Sequence, residues 1–158
     1  MTNFETQFNP HHGPAPEAVH DFLNTCFAPM ADRIDPPSSL TSMSLTDVAQ
    51  KMADEDFFCI CNGVAPVACL FGHGEGTVYE VGKIAVAPNQ RKQGLARVLV
   101  DTAAAHAHAK GFATLQLYAR VQLVENHAIY TAMGFTRSGT FTHPGFDAPT
   151  ALIFQRAL

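Results

Sequence analysis

Arg91, Lys92, Gly94 and Ala96 fall within the segment Glu80–Ala96, EVGKIAVAPNQRKQGLA. There a short apolar strand passes through a proline into a basic, glycine-containing turn that opens a helix. This order of elements makes an anion site, because the first N–H groups of a helix lack internal partners and its dipole is positive at that end. Arg91 and Lys92 add positive charge, while Gly94 and Ala96 leave room for a ligand to approach the backbone. The same residues also fit an ordinary strand–turn–helix whose small side chains serve packing. The spacing is neither GxGxxG nor GxxxxGK followed by Ser or Thr, so neither phosphate-loop pattern is present.

Two further groups have side chains suited to proton transfer. Glu80, Gly82, Ile84 and Val86 share one strand face by the period of two, which would set a carboxylate beside any ligand lying along Ile84 and Val86. On pattern alone an exposed strand glutamate is the favoured reading of Glu80. Asn126 and Tyr130 are four residues apart and share a helix face, off the apolar stripe of Ala128, Ile129 and Ala132. A tyrosine there can also be a half-buried surface residue. Near strand ends and turns stand Tyr118, Arg120 and His143, candidates for contacts to a substrate.

The eight histidines form no HExxH motif and no Cys/His quartet, His11-His12 lies in a proline-rich terminus, and His106 and His108 point apart around a helix. No metal site is expected. Of the four cysteines, Cys26, Cys59, Cys61 and Cys69, three sit in apolar, strand-like surroundings as small hydrophobes. Cys59 and Cys61 are expected on opposite faces of their strand, a poor geometry for a disulfide or a shared metal, and no base is identifiable beside any thiol.

Helices are predicted over 16–26, 44–53, 94–110 and 125–133. The third has an inner stripe of Leu95, Val98, Leu99, Thr102, Ala103 and His106, and the fourth a buried side of Ala128, Ile129, Ala132 and Met133. Strands are expected over 57–61 and 66–72, joined by a tight turn at Asn62-Gly63. A turn over 72–76, a strand over 78–86, and strands over 113–118, 135–142 and 150–155 complete the pattern. Hairpins at both ends and one helical crossover argue for a mixed α/β fold with antiparallel arms and one parallel pair.

A chain of 158 residues with 47% hydrophobic and 15% charged residues describes one globular domain, 1–158, with 1–14 as a loose arm. The formal charge of −4 and the absence of a basic run argue against nucleic acid or anionic membrane as partner. No apolar stretch approaches the length of a membrane span, and the N-terminus lacks a signal-like apolar core, so a cytoplasmic monomer or homodimer is expected.

Arg91-x-x-Gly94-x-Ala96 resembles the acetyl-CoA pyrophosphate loop of the GNAT superfamily of N-acetyltransferases, Gln/Arg-x-x-Gly-x-Gly/Ala. Glu80-Val81-Gly82-Lys83-Ile84-Ala85-Val86-Ala87-Pro88 is similar to the segment preceding that loop in the family. Asn126-His127-Ala128-Ile129-Tyr130-Thr131-Ala132-Met133-Gly134-Phe135 is similar to its Asn-x-Ala segment. The resemblance covers about Gly63 to the C-terminus. It implies a V-splayed sheet of six to seven strands flanked by about four helices, and acetyl transfer to a primary amine by direct attack. It further implies Glu80 as general base and Tyr130 as acid to the leaving thiolate. The cofactor would be held by Ile84, Ala85 and Val86 along its pantetheine, by Arg91, Lys92, Gln93, Gly94, Leu95, Ala96 and Arg97 at its pyrophosphate, and by Asn126. A non-catalytic acyl-CoA sensor and a cysteine-nucleophile enzyme are the competing readings. The acceptor stays open among small amines, amino acids and peptide N-termini.

Overall fold

A computed structural model describes residues 5–9 and 13–158, so His11-His12 lie outside the described residues. One sheet of seven strands runs through the molecule in the order β1-β2-β3-β4-β5-β7-β6. The strands are β1 (Glu5–Phe8), β2 (Asp56–Asn62), β3 (Ala65–Glu75), β4 (Val78–Val86), β5 (Thr114–Arg120), β6 (Thr136–Phe141) and β7 (Ala151–Ala157). Within the segment expected as a loose arm, Glu5–Phe8 pairs antiparallel with β2. All pairings are antiparallel except β4 with β5, the pair joined by the helical crossover.

Four helices cover the sheet: α1 (Pro16–Phe27), α2 (Leu45–Asp54), α3 (Leu95–Ala109) and α4 (Val124–Ala132). Helix α1 starts with Pro16, whose missing N–H costs nothing in the first turn, and buries Val19, Leu23 and Cys26 at helical spacing. Ser44 caps α2 in a reciprocal box: its Oγ accepts from the Asp47 N–H at 3.1 Å, and Asp47 Oδ2 accepts from the Ser44 N–H at 2.9 Å. One core layer lies under α1 and α2, built from Val19, Leu23, Val48, Phe57, Phe71 and Ala85. The other lies under α3, built from Phe58, Leu70, Tyr79, Val81, Leu99 and Leu117 among others. Among the described residues no helix is long and apolar enough to cross a membrane.

Strands β4 and β5 pair over Val78–Glu80 and Thr114–Gln116 only, although β4 continues to Val86 and β5 to Arg120. Beyond Glu80 the two strands part, and this is the V-shaped opening of the sheet. A bulge follows at once in β4. Gly82 pairs with Phe71 and Ala85 with Cys69, so Lys83 and Ile84 together oppose Leu70, and Lys83 takes a φ of +50°. The extra residue reverses the faces. Tyr79 and Val81 point to the α3 layer and Glu80 and Gly82 away from it, whereas Ile84 and Val86 pack on the α3 layer and Ala85 on the α1–α2 layer. Glu80 and Gly82 therefore do not share a face with Ile84 and Val86.

Other expectations need correction. The glycines over 72–76 do not make one long turn: β3 runs to Glu75, and the turn is confined to Gly76-Thr77. Gly72 and Gly74 instead make room for rings, because a Cβ on Gly72 would sit 2.6 Å from Tyr79 Cζ and one on Gly74 would overlap the Phe112 ring. In α3 the buried stripe is Leu95, Leu99, Val100, Ala103, Ala104 and Ala107, with Val98 exposed. In α4, Ala128, Ile129 and Ala132 are exposed, and the helix reaches the core through Tyr130 and the following Met133. Cys59 and Cys61 share a face, since strand residues two apart project to the same side, and their sulfurs lie 3.4 Å apart as free thiols.

Candidate active site

The opening between β4 and β5 holds a groove of about 550 Å³. Its floor is Ile84–Val86, its basic end is Arg91, Lys92 and the start of α3, and its far wall is α4 with Asn126, Ile129 and Tyr130. The edge of β4 past Glu80 has no strand partner on the β5 side, so an extended chain of amides can pair with it.

The start of α3 differs from that of α2 in having no side-chain cap. Val98 is the first residue whose N–H bonds back, to Gly94 O at 3.0 Å, so the N–H groups of Leu95, Ala96 and Arg97 have no partner among the described residues. Lys92 and Gly94 both take left-handed conformations, with φ of +65° and +77°, and curl the loop in front of these donors. Arg91 lies over the groove against the carbonyls of Val86 and Cys26, each at 3.5 Å, and among the described residues it makes no ion pair. Arg97 ties the start of α3 to α4 by donating to Ala132 O at 3.0 Å. Gln93 is not in the groove lining and donates to Gln90 Oε1, of the lining, at 3.1 Å. This cluster of donors and cations fits a diphosphate, and the unpaired β4 edge fits an amide-bearing arm.

Tyr130 stands where the groove meets an adjoining second cavity of about 150 Å³. Phe27, Met30, Ile84, Leu123, Asn126 and Tyr130 line both. The Tyr130 ring packs between Phe135 and Phe154, at centroid distances of 6.2 and 6.1 Å, while its hydroxyl has no hydrogen-bond partner among the described residues. Burial pushes its phenol up to about 12, so it stays protonated at neutral pH.

Tyr118 and Arg120 line the second cavity with Gly82 and Lys83. Glu80 lines neither cavity. It lies one residue short of Val81, where the lining starts, and its Oε1 accepts from Gln116 Nε2 at 3.3 Å. His143 also stays outside the lining: its Nδ1 is 2.5 Å from Thr150 Oγ1, and its ring packs edge-on to Phe141, which in turn meets Tyr118. Lys83 escaped the sequence reading, and nothing in the 27–38 segment is diagnostic there. A lysine inside the apolar run Val81–Val86 was the available signal; the segment, joined to the site only through tertiary contact, carried none.

Cys26 is the cysteine that reaches the groove. Its Sγ points at Val86 O, 3.5 Å away, and burial pushes the thiol up despite nearby Arg91, the wrong direction for a nucleophile.

A groove of this construction in a splayed, bulged sheet defines a class of acyl-transfer domain. The chain belongs to the acetyltransferase (GNAT) family, whose model matches residues 17–135. It is 30% identical over 108 residues to the mycothiol acetyltransferase of Catenulispora acidiphila, an alignment that covers 61% of this chain and 34% of that protein. The chain thus spans about a third of the length of that relative. The fold recurs in the PaiA N-acetyltransferase from Thermoplasma acidophilum in complex with coenzyme A, with a TM-score of 0.82 at 12% identity over 99% of this chain and 100% of that one. It recurs also in a GNAT family acetyltransferase from Elizabethkingia anophelis with acetyl-CoA bound, with a TM-score of 0.69 at 15% identity over 100% of each chain.

Proposed function

We propose that this protein transfers an acetyl group from acetyl-CoA to a primary amine, both substrates being bound at once. The observation that carries this reading is the junction at Asn126 and Tyr130, where a groove that fits a diphosphate-bearing arm meets an adjoining second cavity. A sensor of acyl-CoA would need the groove but not the second cavity. The single sheet running through the described residues supports reading 1–158 as one domain.

Acetyl-CoA supplies an activated acetyl group as a thioester. Arg91, Lys92 and the free N–H groups of Leu95, Ala96 and Arg97 hold its pyrophosphate, with Gly94 keeping the approach open. Ile84, Ala85 and Val86 offer the backbone edge for its pantetheine arm, and Asn126 contacts that arm from α4. Gln93, turned toward Gln90, has at most an indirect part. Glu80 accepts the proton of the incoming ammonium through water, since its carboxylate lines neither cavity. Backbone N–H groups of β4 donate to the carbonyl oxygen as it gains charge. Tyr130 then gives its proton to the departing sulfur. Tyr118 and Arg120 contact the acceptor, with His143 supporting Tyr118 through Phe141.

Two readouts test the proposal together: a thermal shift with acetyl-CoA, and thiol release from acetyl-CoA on adding amines. Ligand at about 100 times its dissociation constant contributes roughly 2.7 kcal/mol of stability, readily seen as a raised melting temperature. Amine-dependent thiol release is expected, and its absence over a broad amine panel would contradict the proposal.

A further inference from the structure

The second cavity is lined by two cations, neither of which pairs with a carboxylate among the described residues. Lys83 is turned out of β4 by the bulge, and its Nζ donates to Ser39 Oγ at 2.6 Å. Arg120, the last residue of β5, donates from Nη1 to Pro36 O at 2.7 Å and from Nη2 to Pro37 O at 3.2 Å. Among the described residues neither is within ion-pair distance of a carboxylate. Glu55 and Asp35 act on them only from farther away. Burial, and after it the charges of Lys51 and Arg120, draw the Lys83 ammonium down to about 8. Gathering cations in a partly dry site costs free energy that an arriving anion recovers.

The same cavity also has an acidic neighbour. Gly82, in its lining, follows Glu80 by two residues on the same strand face, and no Cβ crowds the space between. The Tyr118 phenol, also in the lining, is pushed up by burial and then by the negative charge of Glu80 and Glu75. The cavity is therefore cationic beside the 36–39 loop and has the Glu80 carboxylate as a neighbour just outside its lining. About 150 Å³ suits a small molecule.

We infer that the acceptor is a small zwitterion, a primary amine that also carries a carboxylate, with Lys83 and Arg120 binding the carboxylate while the amine lies toward Glu80 and Tyr130. This rests on the acetyl-transfer reading above and names the substrate class for that site.

Matched acceptors test it. Glycine, alanine, phenylalanine and glutamate are each compared with their α-carboxamides, reading kcat/KM by thiol release. A carboxamide presents the larger fraction of neutral amine, because loss of the carboxylate lowers the amine pKa, so any preference for the acid must come from binding its charge. The expected preference for at least one acid is about tenfold or more, the size of a hydrogen bond to a charged group. Lys83→Met should raise KM for that acid about 10- to 100-fold and close the gap to its amide, with the acetyl-CoA thermal shift retained. Lys83→Arg should restore part of the preference. Carboxamides accepted as well as or better than every acid would overturn the inference and leave acetyl transfer standing. Stabilisation by acetyl-CoA without thiol release from any amine would contradict the acetyl-transfer reading itself, and the inference with it.

Discussion

Gln116 donates its side-chain amide to Glu80 Oε1 at 3.3 Å across the last paired rung before β4 and β5 separate. Its own oxygen accepts from Gln155 Nε2 at 2.7 Å, which fixes the orientation of that donor. The other oxygen of Glu80 lies 3.8 Å from His73 Nε2. Glu80 is thus held at the mouth of the opening with one oxygen engaged. Glu80→Gln keeps the shape and an acceptor for Gln116 while removing the proposed base. Turnover should fall by about 10²–10⁴-fold, with the acidic limb of the pH–rate profile flattened and the acetyl-CoA thermal shift unchanged. An unaltered limb would move the base elsewhere.

Tyr130→Phe preserves the ring between Phe135 and Phe154 and removes only an unpartnered hydroxyl. The melting temperature should stay near wild type. General acid catalysis is worth about 10²–10⁴-fold, and because a thiolate is a fair leaving group the loss in kcat should lie at the lower end. Steady-state kinetics beside a melting curve check this, and full activity would make the phenol a packing residue.

Gly94→Asp sets a negative side chain before the free N–H groups of α3, at a φ of +77° that only glycine adopts at little cost. Among the described residues nothing lies within 4 Å of a Cβ there, so the added carboxylate enters the space proposed for the pyrophosphate. Acetyl-CoA affinity should drop at least tenfold by calorimetry. Normal affinity would place the phosphate site elsewhere.

The Lys83 ammonium titrates near 8 instead of the usual 10.5. Below pH 8 it is charged in the folded protein; above it the charge is lost, so KM for a carboxylate acceptor should rise through pH 8 relative to its carboxamide. Around it stand Lys51, Arg120, Glu55 and Tyr118. For stability the sign is opposite to that of an ion pair. Between pH 8 and 10.5 the unfolded chain binds the extra proton, so stability rises with pH in that window. Melting temperatures should show this rise in wild type relative to Lys83→Met.

Gly72→Ala drives a methyl group into the Tyr79 ring, whose hydroxyl donates to Asp56 Oδ2 at 2.7 Å. Overpacking of this kind costs about 1–3 kcal/mol. Chemical denaturation should register that loss, whereas Gly82→Ala, with nothing within 4 Å of its Cβ, should cost far less.

Much of the fold was legible because local signals agreed. β4 spans Val78–Val86 as its apolar run predicts, α3 starts after Gly94, and Ser44 caps α2. The gaps arise where tertiary packing overrides a period. Counting by two along β4 assumes a uniform register, and the bulge at Lys83 breaks it, so Glu80 was assigned to the face of Ile84. Gly72 and Gly74 read as turn residues because the rings they admit come from Tyr79 and Phe112. The apolar residues of α4 read as core, yet Ile129 lines the groove. Arg91 to Arg97 could be proposed from the sequence because one turn carries the whole motif. The second cavity could not be, since the 27–38 segment, the bulge and the end of β5 meet only in the folded chain.

The central claim is direct transfer between two bound substrates, and mass spectrometry of protein and products tests it most directly. The protein is mixed with acetyl-CoA alone, then with acetyl-CoA and an accepted amine. The account predicts an unmodified protein in the first mixture, and in the second, free CoA thiol and acetylated amine in equal amounts. An acetyl group retained on Cys26 or any other side chain before the amine is added, and passed on when it arrives, would contradict it.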